Sequence, residues 1–295
     1  MGPKLTHRCS HSSGLSRRQV LTSSISVLVL TTTPVRCPPP SHGAQQAPVD
    51  RTVMKAFEDA LRATGSEAQD VAWTHVIELA PNNSAAWSNR GALRLQNMRW
   101  AAAESDLRHA VELESGPSGS PSVLDDVDAS TLNNLGNAEV ALGRLEEAQL
   151  HFRAAARDPA LQSLALANAA LAAFQDQQDA LAVRVARQVV RRDPEFLDMR
   201  AGLVAMLYGS GRVAEAEEEW DTLQEAQDGL GAALYNKRVA LDRIKGRWPP
   251  RATAALAAFL SLSDTGTAIG YGIQAETYTF PLSGIPPAKG PPTEP

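Results

Sequence analysis

The side chains in this sequence that could do chemistry are mainly asparagine carboxamides, and three of them recur at regular spacing. Asn89, Asn134 and Asn168 are separated by 45 and 34 residues, and Asn133 and Asn137 lie beside the second of them. A carboxamide has N–H donors and an oxygen acceptor but neither a charge nor a nucleophile. Such a row predicts hydrogen bonding to the backbone of an extended peptide. The alternative is that the amides only bridge neighbouring elements of the protein itself.

No pattern typical of an active site or a metal centre accompanies these amides. His75, His109 and His151 are the histidines beyond residue 49, and none has the His-Glu-x-x-His spacing of a zinc site. The sequence has no Gly-x-x-x-x-Gly-Lys-Ser phosphate loop, and the acidic residues between 215 and 219 are interpreted as a solvated helix face. We therefore predict a protein without catalytic residues, a bound metal or a cofactor.

Composition narrows the functional classes further. The chain has 295 residues, of which 43% are hydrophobic but only 5% aromatic, which favours closely packed helices. Beyond residue 49 there are 23 basic against 33 acidic residues, a balance that argues against binding nucleic acid or an anionic membrane surface. Both cysteines, Cys9 and Cys37, lie before residue 50, so the predicted folded part has neither a disulfide nor a catalytic thiol.

A repeating pattern of small and large residues must position these side chains. Counted from Ser84 as position 1, a bulky residue stands at position 4, small residues at 8, 20 and 27, and a large apolar residue at 24: Trp87, Gly91, Ala103, Ala110 and Leu107. Equivalent units start at 50, 84, 129, 163 and 197, at intervals of 34, 45, 34 and 34 residues. The longer interval indicates an inserted loop at about 115–127. These spacings resemble the tetratricopeptide repeat, a helix–turn–helix unit of 34 residues.

The resemblance implies an all-α fold in which the units stack into a right-handed superhelical solenoid. Residues 50–245 would hold about five units and a partial sixth that starts at 231, and residues 246–262 would form a degenerate capping helix over the last hydrophobic face. The first helices of the units would line a concave groove that binds a segment of another protein. The oligomeric state stays open.

In this register the asparagines lie on first helices: Asn89, Asn134 and Asn168 at position 6, and Asn133 and Asn137 at positions 5 and 9 of the third unit. Family members that hold the acidic C-terminus of heat-shock chaperones carry Lys or Arg at positions 2, 5 and 6 of successive units. The second to fourth units here lack those cations, so the resemblance does not imply chaperone binding. Arg51 and Lys55 in the first unit and Arg200 early in the fifth leave room for a ligand with one acidic end.

The first 49 residues are predicted to be a targeting sequence rather than a folded segment. Residues 1–49 contain five basic and no acidic residues, as in an organelle transit peptide, and the pair Arg17–Arg18 before a short apolar run resembles a twin-arginine export signal. The run is too short for a stable membrane span. Together they predict a chloroplast protein of the thylakoid lumen; the alternative is a disordered tail with a chance arginine pair. Residues 263–295, rich in proline, are expected to be irregular.

Two short strings, at 85–91 and 247–250, look like a group of plant and algal chloroplast-lumen proteins within the repeat family. The resemblance and the predicted address imply a non-enzymatic scaffold that supports assembly or maintenance of a photosynthetic complex. Two alternatives stay open. One is a structural protein that associates with itself, and the other is an enzyme whose site lies outside the repeats, for example at 263–280.

Overall fold

Every regular element in the described part of the chain is a helix, so the predicted all-α fold is confirmed. The computed structural model describes residues 51–115, 124–236 and 239–262. Its helices are α1 (Arg51–Arg62), α2 (Ser66–Leu79), α3 (Ser84–Gln96), α4 (Trp100–Ser115), α5 (Ala129–Ala141), α6 (Leu145–Ala155), α7 (Gln162–Gln175), α8 (Asp179–Arg192), α9 (Leu197–Gly209), α10 (Val213–Leu234), α11 (Ala240–Ile244) and α12 (Pro250–Leu262). No helix in these ranges has both the length and the apolar character of a membrane span. The predicted leader, the tail from 263 and most of the inserted loop lie outside the described residues.

The helices pack in the order of the sequence, two to a unit. The first helices of the five units are α1, α3, α5, α7 and α9, and each starts within one residue of a predicted unit. Each first helix packs against the second helix that follows it, and each second helix from α2 to α8 also packs against the next first helix. Since α3, α5, α7 and α9 touch one another in succession, the first helices form one continuous layer of a helical repeat solenoid.

Two of the first helices begin at side chains that cap them. Asn83 accepts a hydrogen bond from the Ala86 N–H at the start of α3. Asp128 accepts from the N–H groups of Ser130 and Thr131 at the start of α5, 3.0 and 3.1 Å away. Such caps satisfy donors that have no partner within the helix and stabilise it by about 1 kcal/mol. After the inserted loop, Asp128 therefore fixes where the third unit starts.

The turn between the two helices of a unit requires a left-handed residue at position 15. Met98, Gly143, Gln177 and Gly211 hold this position in units two to five, and their φ angles lie between 56° and 78°. Glycine adopts this conformation without strain, whereas a residue with a Cβ loses on the order of 1 kcal/mol. The turn is thus kept at the same place even in the two units that lack the glycine.

Within a unit, the two helices approach each other where position 8 is glycine. A Cβ added to Gly136 would lie 2.6 Å from Cε1 of the Phe152 ring at position 24, and a Cβ added to Gly91 would lie 2.6 Å from Cγ of Leu107. Neither position has space for a larger residue, and Phe152 and Leu107 are fully buried. Because interiors are packed to crystal-like density, the small residue on the first helix sets the distance to the second.

The C-terminal part of the fold departs from the predicted sixth unit. The helical path of α10 is interrupted from Ala226 to Gly229, where three successive residues have positive φ. The chain then reverses, and a Cβ on Gly231 would overlap the carbonyl oxygen of Leu223. The predicted partial sixth unit, which starts at 231, is instead split between the end of α10 and the short α11.

Tyr235, in the break between these two helices, attaches the reversed chain to α9. Its ring is fully buried, and its hydroxyl donates a hydrogen bond to Asp198 at the start of α9. Burial, together with the neighbouring charge of Asp198, raises the pKa of the Tyr235 hydroxyl well above its usual value. The phenol therefore stays protonated and remains a donor to the Asp198 carboxylate.

A C-terminal helix is present as predicted, but it does not extend the stack beyond α10. Instead, α12 packs against α9 and α7, the first helices of units five and four. It meets α10 where the Phe259 ring lies 5.5 Å from the Trp220 ring. The reversal after Leu223 causes this placement, since it returns the chain to the first-helix layer instead of leaving it at the end of the solenoid.

We expect Gly136→Ala to destabilise the protein by about 1–3 kcal/mol, even though alanine is the better helix former by about 1 kcal/mol. The new methyl group meets a rigid buried ring, so the two helices must separate. Chemical denaturation measures the loss, and Phe152→Leu in the Gly136→Ala background should recover part of it. A Gly136→Ala variant as stable as the parent would show that the close approach is not required.

Candidate partner-binding groove

The candidate site is the surface of the first helices that faces away from the second helices, here called the groove. A helix that packs on one side buries only part of its residues, yet residues 131–139 of α5 are all buried. In α9 the same holds for residues 197–208, apart from Arg200. Both helices are therefore covered on their groove side as well. In α9 the cover is the chain's own C-terminal part, which contacts it directly.

Two of the predicted binding residues bridge neighbouring first helices. Asn168 on α7 donates from Nδ2 to Oδ1 of Asn133 on α5, at 3.0 Å, and both side chains are buried. One layer further, the hydroxyls of Ser88 on α3 and Thr131 on α5 lie 2.8 Å apart. For Asn133 the structure therefore favours the alternative role of linking units over contact with a ligand.

Three other amide atoms in the same row are buried without a hydrogen-bond partner. They are Nδ2 of Asn134, Oδ1 of Asn137 and Oδ1 of Asn168. An unpaired buried polar group costs about 1–3 kcal/mol, so their concentration on one face of two neighbouring helices requires an explanation. Hydrogen-bonding capacity is thus left unused on α5 and α7, at atoms that have almost no surface exposed to solvent. Asn89 on α3 is half-buried and lies at the equivalent position.

The predicted basic residues divide into two groups. Arg51 and Lys55 are exposed in the first turns of α1, where they remain available to an acidic group. Arg200 forms an ion pair with Glu219 on α10, and only 12% of its side chain is exposed. Arg200 thus holds the two helices of its own unit together, and the structure does not bring it near Arg51 or Lys55.

A cavity of about 600 Å³ opens beside the C-terminal ends of α3, α5 and α7. Its walls are largely apolar and include Leu95, Trp100 and Val140, while Trp248 and its neighbours from residues 246–250 close one side. Asn137 lies on its wall and carries one of the unpartnered oxygens. An apolar space of this size with a few polar groups is typical of a ligand-binding pocket.

Behind the groove, buried charges connect the first two units. Arg90 on α3 donates two hydrogen bonds to Asp106 on α4, at 2.9 and 2.8 Å. Arg94 bonds both Asp106 and Asp70 on α2, each at 2.8 Å. The hydrogen bond from Arg94 lowers the pKa of the Asp70 carboxyl. These ions are paired and satisfied, so they fix three helices relative to one another.

A second cluster of charged side chains connects units two and three. Glu139 on α5 is fully buried between His151 on α6, at 2.7 Å, and Arg108 on α4, at 3.2 Å. Glu104 joins Arg108 to Arg144 at 2.6 and 2.7 Å. His151 thus takes part in a structural hydrogen bond that links α6 to α5. Among the described residues no group of His, Cys, Asp or Glu is arranged to hold a metal ion.

Sequence reasoning missed both clusters because most of their partners lie on different helices, within a unit or in the next one. The only signal was a polar residue at a position that faces a neighbouring helix, such as Arg90, Asp106 or Glu139. A single sequence does not distinguish such a residue from a solvated one. The pairing depends on helix packing rather than on local spacing.

Comparison with known proteins supports the fold. MamA, a tetratricopeptide-repeat protein of known crystal structure, matches 63% of this chain and 93% of its own chain, with 15% identity and a TM-score of 0.51. PilF of Pseudomonas aeruginosa matches 72% of this chain and 89% of its own, with 19% identity and a TM-score of 0.48. No protein-family model matches the sequence, and no curated protein does. The likeness to MamA agrees with the repeat spacing and establishes a helical repeat solenoid.

The amide bridge between units three and four can be tested by a double-mutant cycle. We expect Asn133→Ala and Asn168→Ala each to destabilise the protein by about 1–3 kcal/mol, because each leaves a buried partner unpaired. The double variant should lose less than the sum of the two, by at least about 0.5 kcal/mol. Denaturant unfolding of the four proteins measures the coupling, and strictly additive losses would refute the bridge.

Proposed function

We propose that this protein is a non-enzymatic scaffold that holds a segment of another protein in the groove of its first three units. The observation that carries the proposal is the apolar cavity at the ends of α3, α5 and α7, with the Asn137 side chain among its lining residues. The cavity offers space for an apolar side chain of the partner. The Asn137 oxygen would accept an N–H from the partner's backbone.

The charges of the groove also favour a partner of defined orientation. Arg51 and Lys55 are exposed at the N-terminal end of the array, so an acidic end of the partner would lie there. The groove side of unit five is covered by the C-terminal part of the chain. A partner would therefore run from unit one toward the cavity at units two and three. Surface pairs of this kind contribute less to affinity than to orientation.

The distribution of ionisable groups supports a binding role rather than a catalytic one. The buried carboxylates Asp106, Glu139 and Asp198 are each bonded to arginine, histidine or tyrosine side chains that hold helices together. None of them lines the cavity beside Asn137. A general acid or base has to reach the substrate, which these paired groups do not.

The proposed place of action is the chloroplast, within the thylakoid lumen, and the proposed process is assembly or maintenance of a photosynthetic complex. Support comes from the basic residues 1–49 and from the arginine pair Arg17–Arg18 ahead of a short apolar run. The step from this address to the process is an association, because a repeat solenoid serves many pathways.

Site-directed photocrosslinking in isolated chloroplasts tests the groove. A photoreactive residue at Ala141, which lines the cavity, should form an adduct with a partner, and one at Leu150, exposed on a second helix, should not. Asn134→Ala combined with Asn137→Ala should lower the adduct yield about fivefold or more, as expected for one lost hydrogen bond or two. Equal yields at Ala141 and Leu150, or a yield that the double variant leaves unchanged, would contradict the groove.

The proposed localisation is tested separately with residues 1–60 fused to a fluorescent protein. We expect import into chloroplasts and delivery to the lumen. Arg17→Lys with Arg18→Lys should leave the fusion in the stroma, because the charge is kept while the arginine pair is lost. Fluorescence that stays in the cytosol would contradict the proposed localisation. It would leave the proposed partner-binding groove untested and unchanged.

A further inference from the structure

The C-terminal helix α12 has the pattern of a groove ligand rather than of another repeat. Its buried residues recur at intervals of three and four and form a single apolar stripe: Ala252, Ala255, Leu256, Phe259 and Leu260. The stripe faces α9 and α7, the first helices of two different units. An amphipathic helix laid across several elements in this way is a recurring mode of peptide recognition.

A single arginine fixes the start of this helix on unit four. Arg251 donates to both carboxylate oxygens of Asp179, at 2.5 and 2.9 Å, and its guanidinium lies 4.0 Å from the centre of the Phe174 ring. Its backbone N–H donates to Oε1 of Gln175 at 2.9 Å, and its side chain also bonds the Phe174 carbonyl oxygen. Arg251 therefore satisfies the end of α7 and the beginning of α8 at once.

A second anchor lies at the other end of the covered surface. Asp198 on α9 accepts from Nη2 of Arg247 at 2.7 Å and from Nε of Arg243 at 3.3 Å. Between the two anchors, the Trp248 ring lies over the backbone of α9, 3.8 Å from where a Cβ of Gly202 would stand. Residues 240–262, here called the C-terminal segment, thus follow α9 and then cross to α7.

The covered surface is the continuation of the groove proposed for the partner. The first helices form one layer through α3, α5, α7 and α9, and the C-terminal segment lies on the far half of it. The same segment supplies Trp248, Pro249 and Pro250 to the wall of the cavity. One face of the solenoid therefore has a half that the chain itself occupies and an open half along α1 and α3, where Ser88 and Asn89 are still partly exposed.

We propose that the C-terminal segment is a built-in ligand of the groove, which closes units four and five to other helices until it is released. The site beneath it recognises an amphipathic helix with an arginine in its first turn and an apolar stripe at intervals of three and four. This regulation rests on the proposed function, since it governs how much of the same groove a partner can use.

The proposal is tested with the full chain carrying a protease site inserted after Asn236, cut once the protein has folded. The probe is a fluorescent peptide of residues 240–262, followed by anisotropy. We expect no binding before the cut. After the cut, the labelled peptide should exchange with the resident segment and saturate. A peptide with Arg251→Ala should bind about tenfold more weakly, since it lacks the ion pair with Asp179.

A second variant removes the need for cleavage. In the uncut chain, Arg251→Glu places a carboxylate beside Asp179 and should let the wild-type peptide bind, whereas Arg192→Glu, an exposed change on α8, should not. Loss of the helical circular dichroism signal after the cut would overturn the proposal, since the segment would then be part of the core. A cut protein that stays folded but never exchanges the peptide would overturn it as well.

These outcomes are independent of the crosslinking result. The peptide assay needs no chloroplast partner, so a failed exchange leaves the adduct at Ala141 intact as evidence for the open half. Conversely, exchange of the peptide without any adduct at Ala141 would support the built-in ligand and reject the proposed partner site.

Discussion

The close contact between positions 8 and 24 is the constraint on which the other features of this fold depend. Gly136 leaves no room for a Cβ against Phe152, and Gly91 leaves none against Leu107. The first unit makes the same contact with two rings, Phe57 and Trp73, whose centres lie 4.9 Å apart at a nearly perpendicular angle. In this unit two rings packed edge to face take the place of the glycine and the large residue.

Much of the repeat fold could be predicted because its determinants are local. A small residue at position 8, a large one at 24 and a left-handed residue at 15 all lie within one unit, so their spacing can be read from the sequence. The structure confirms the helices and their pairing. It also shows that Met98 and Gln177 take the turn conformation in which glycine is the usual residue. Neighbouring contacts therefore override a local preference in those two units.

The site could be predicted only in outline, because its details depend on residues that are distant in the sequence. The bond between Asn133 and Asn168 requires two first helices to lie at hydrogen-bonding distance, and the spacing of asparagines does not give that distance. Arg200 lies early in the first helix of the fifth unit, where a groove contact was predicted, yet it pairs with Glu219 inside its own unit. The placement of α12 depends on the reversal after Leu223, which no repeat pattern contains. The leader and its address stay predictions, since residues 1–50 lie outside the described part.

The position of α12 also affects the order in which the molecule can be completed. In a plain array each unit needs only its neighbour, so folding can follow synthesis from the N-terminus. Here α9 is enclosed by residues made some fifty positions later, as the contact of Asp198 with Arg247 shows. Closing such a long loop is slower than forming local contacts. A nascent chain would thus pass through a stage in which four or five units have formed. During this stage the apolar side of α9 is still accessible to chaperones or to other copies.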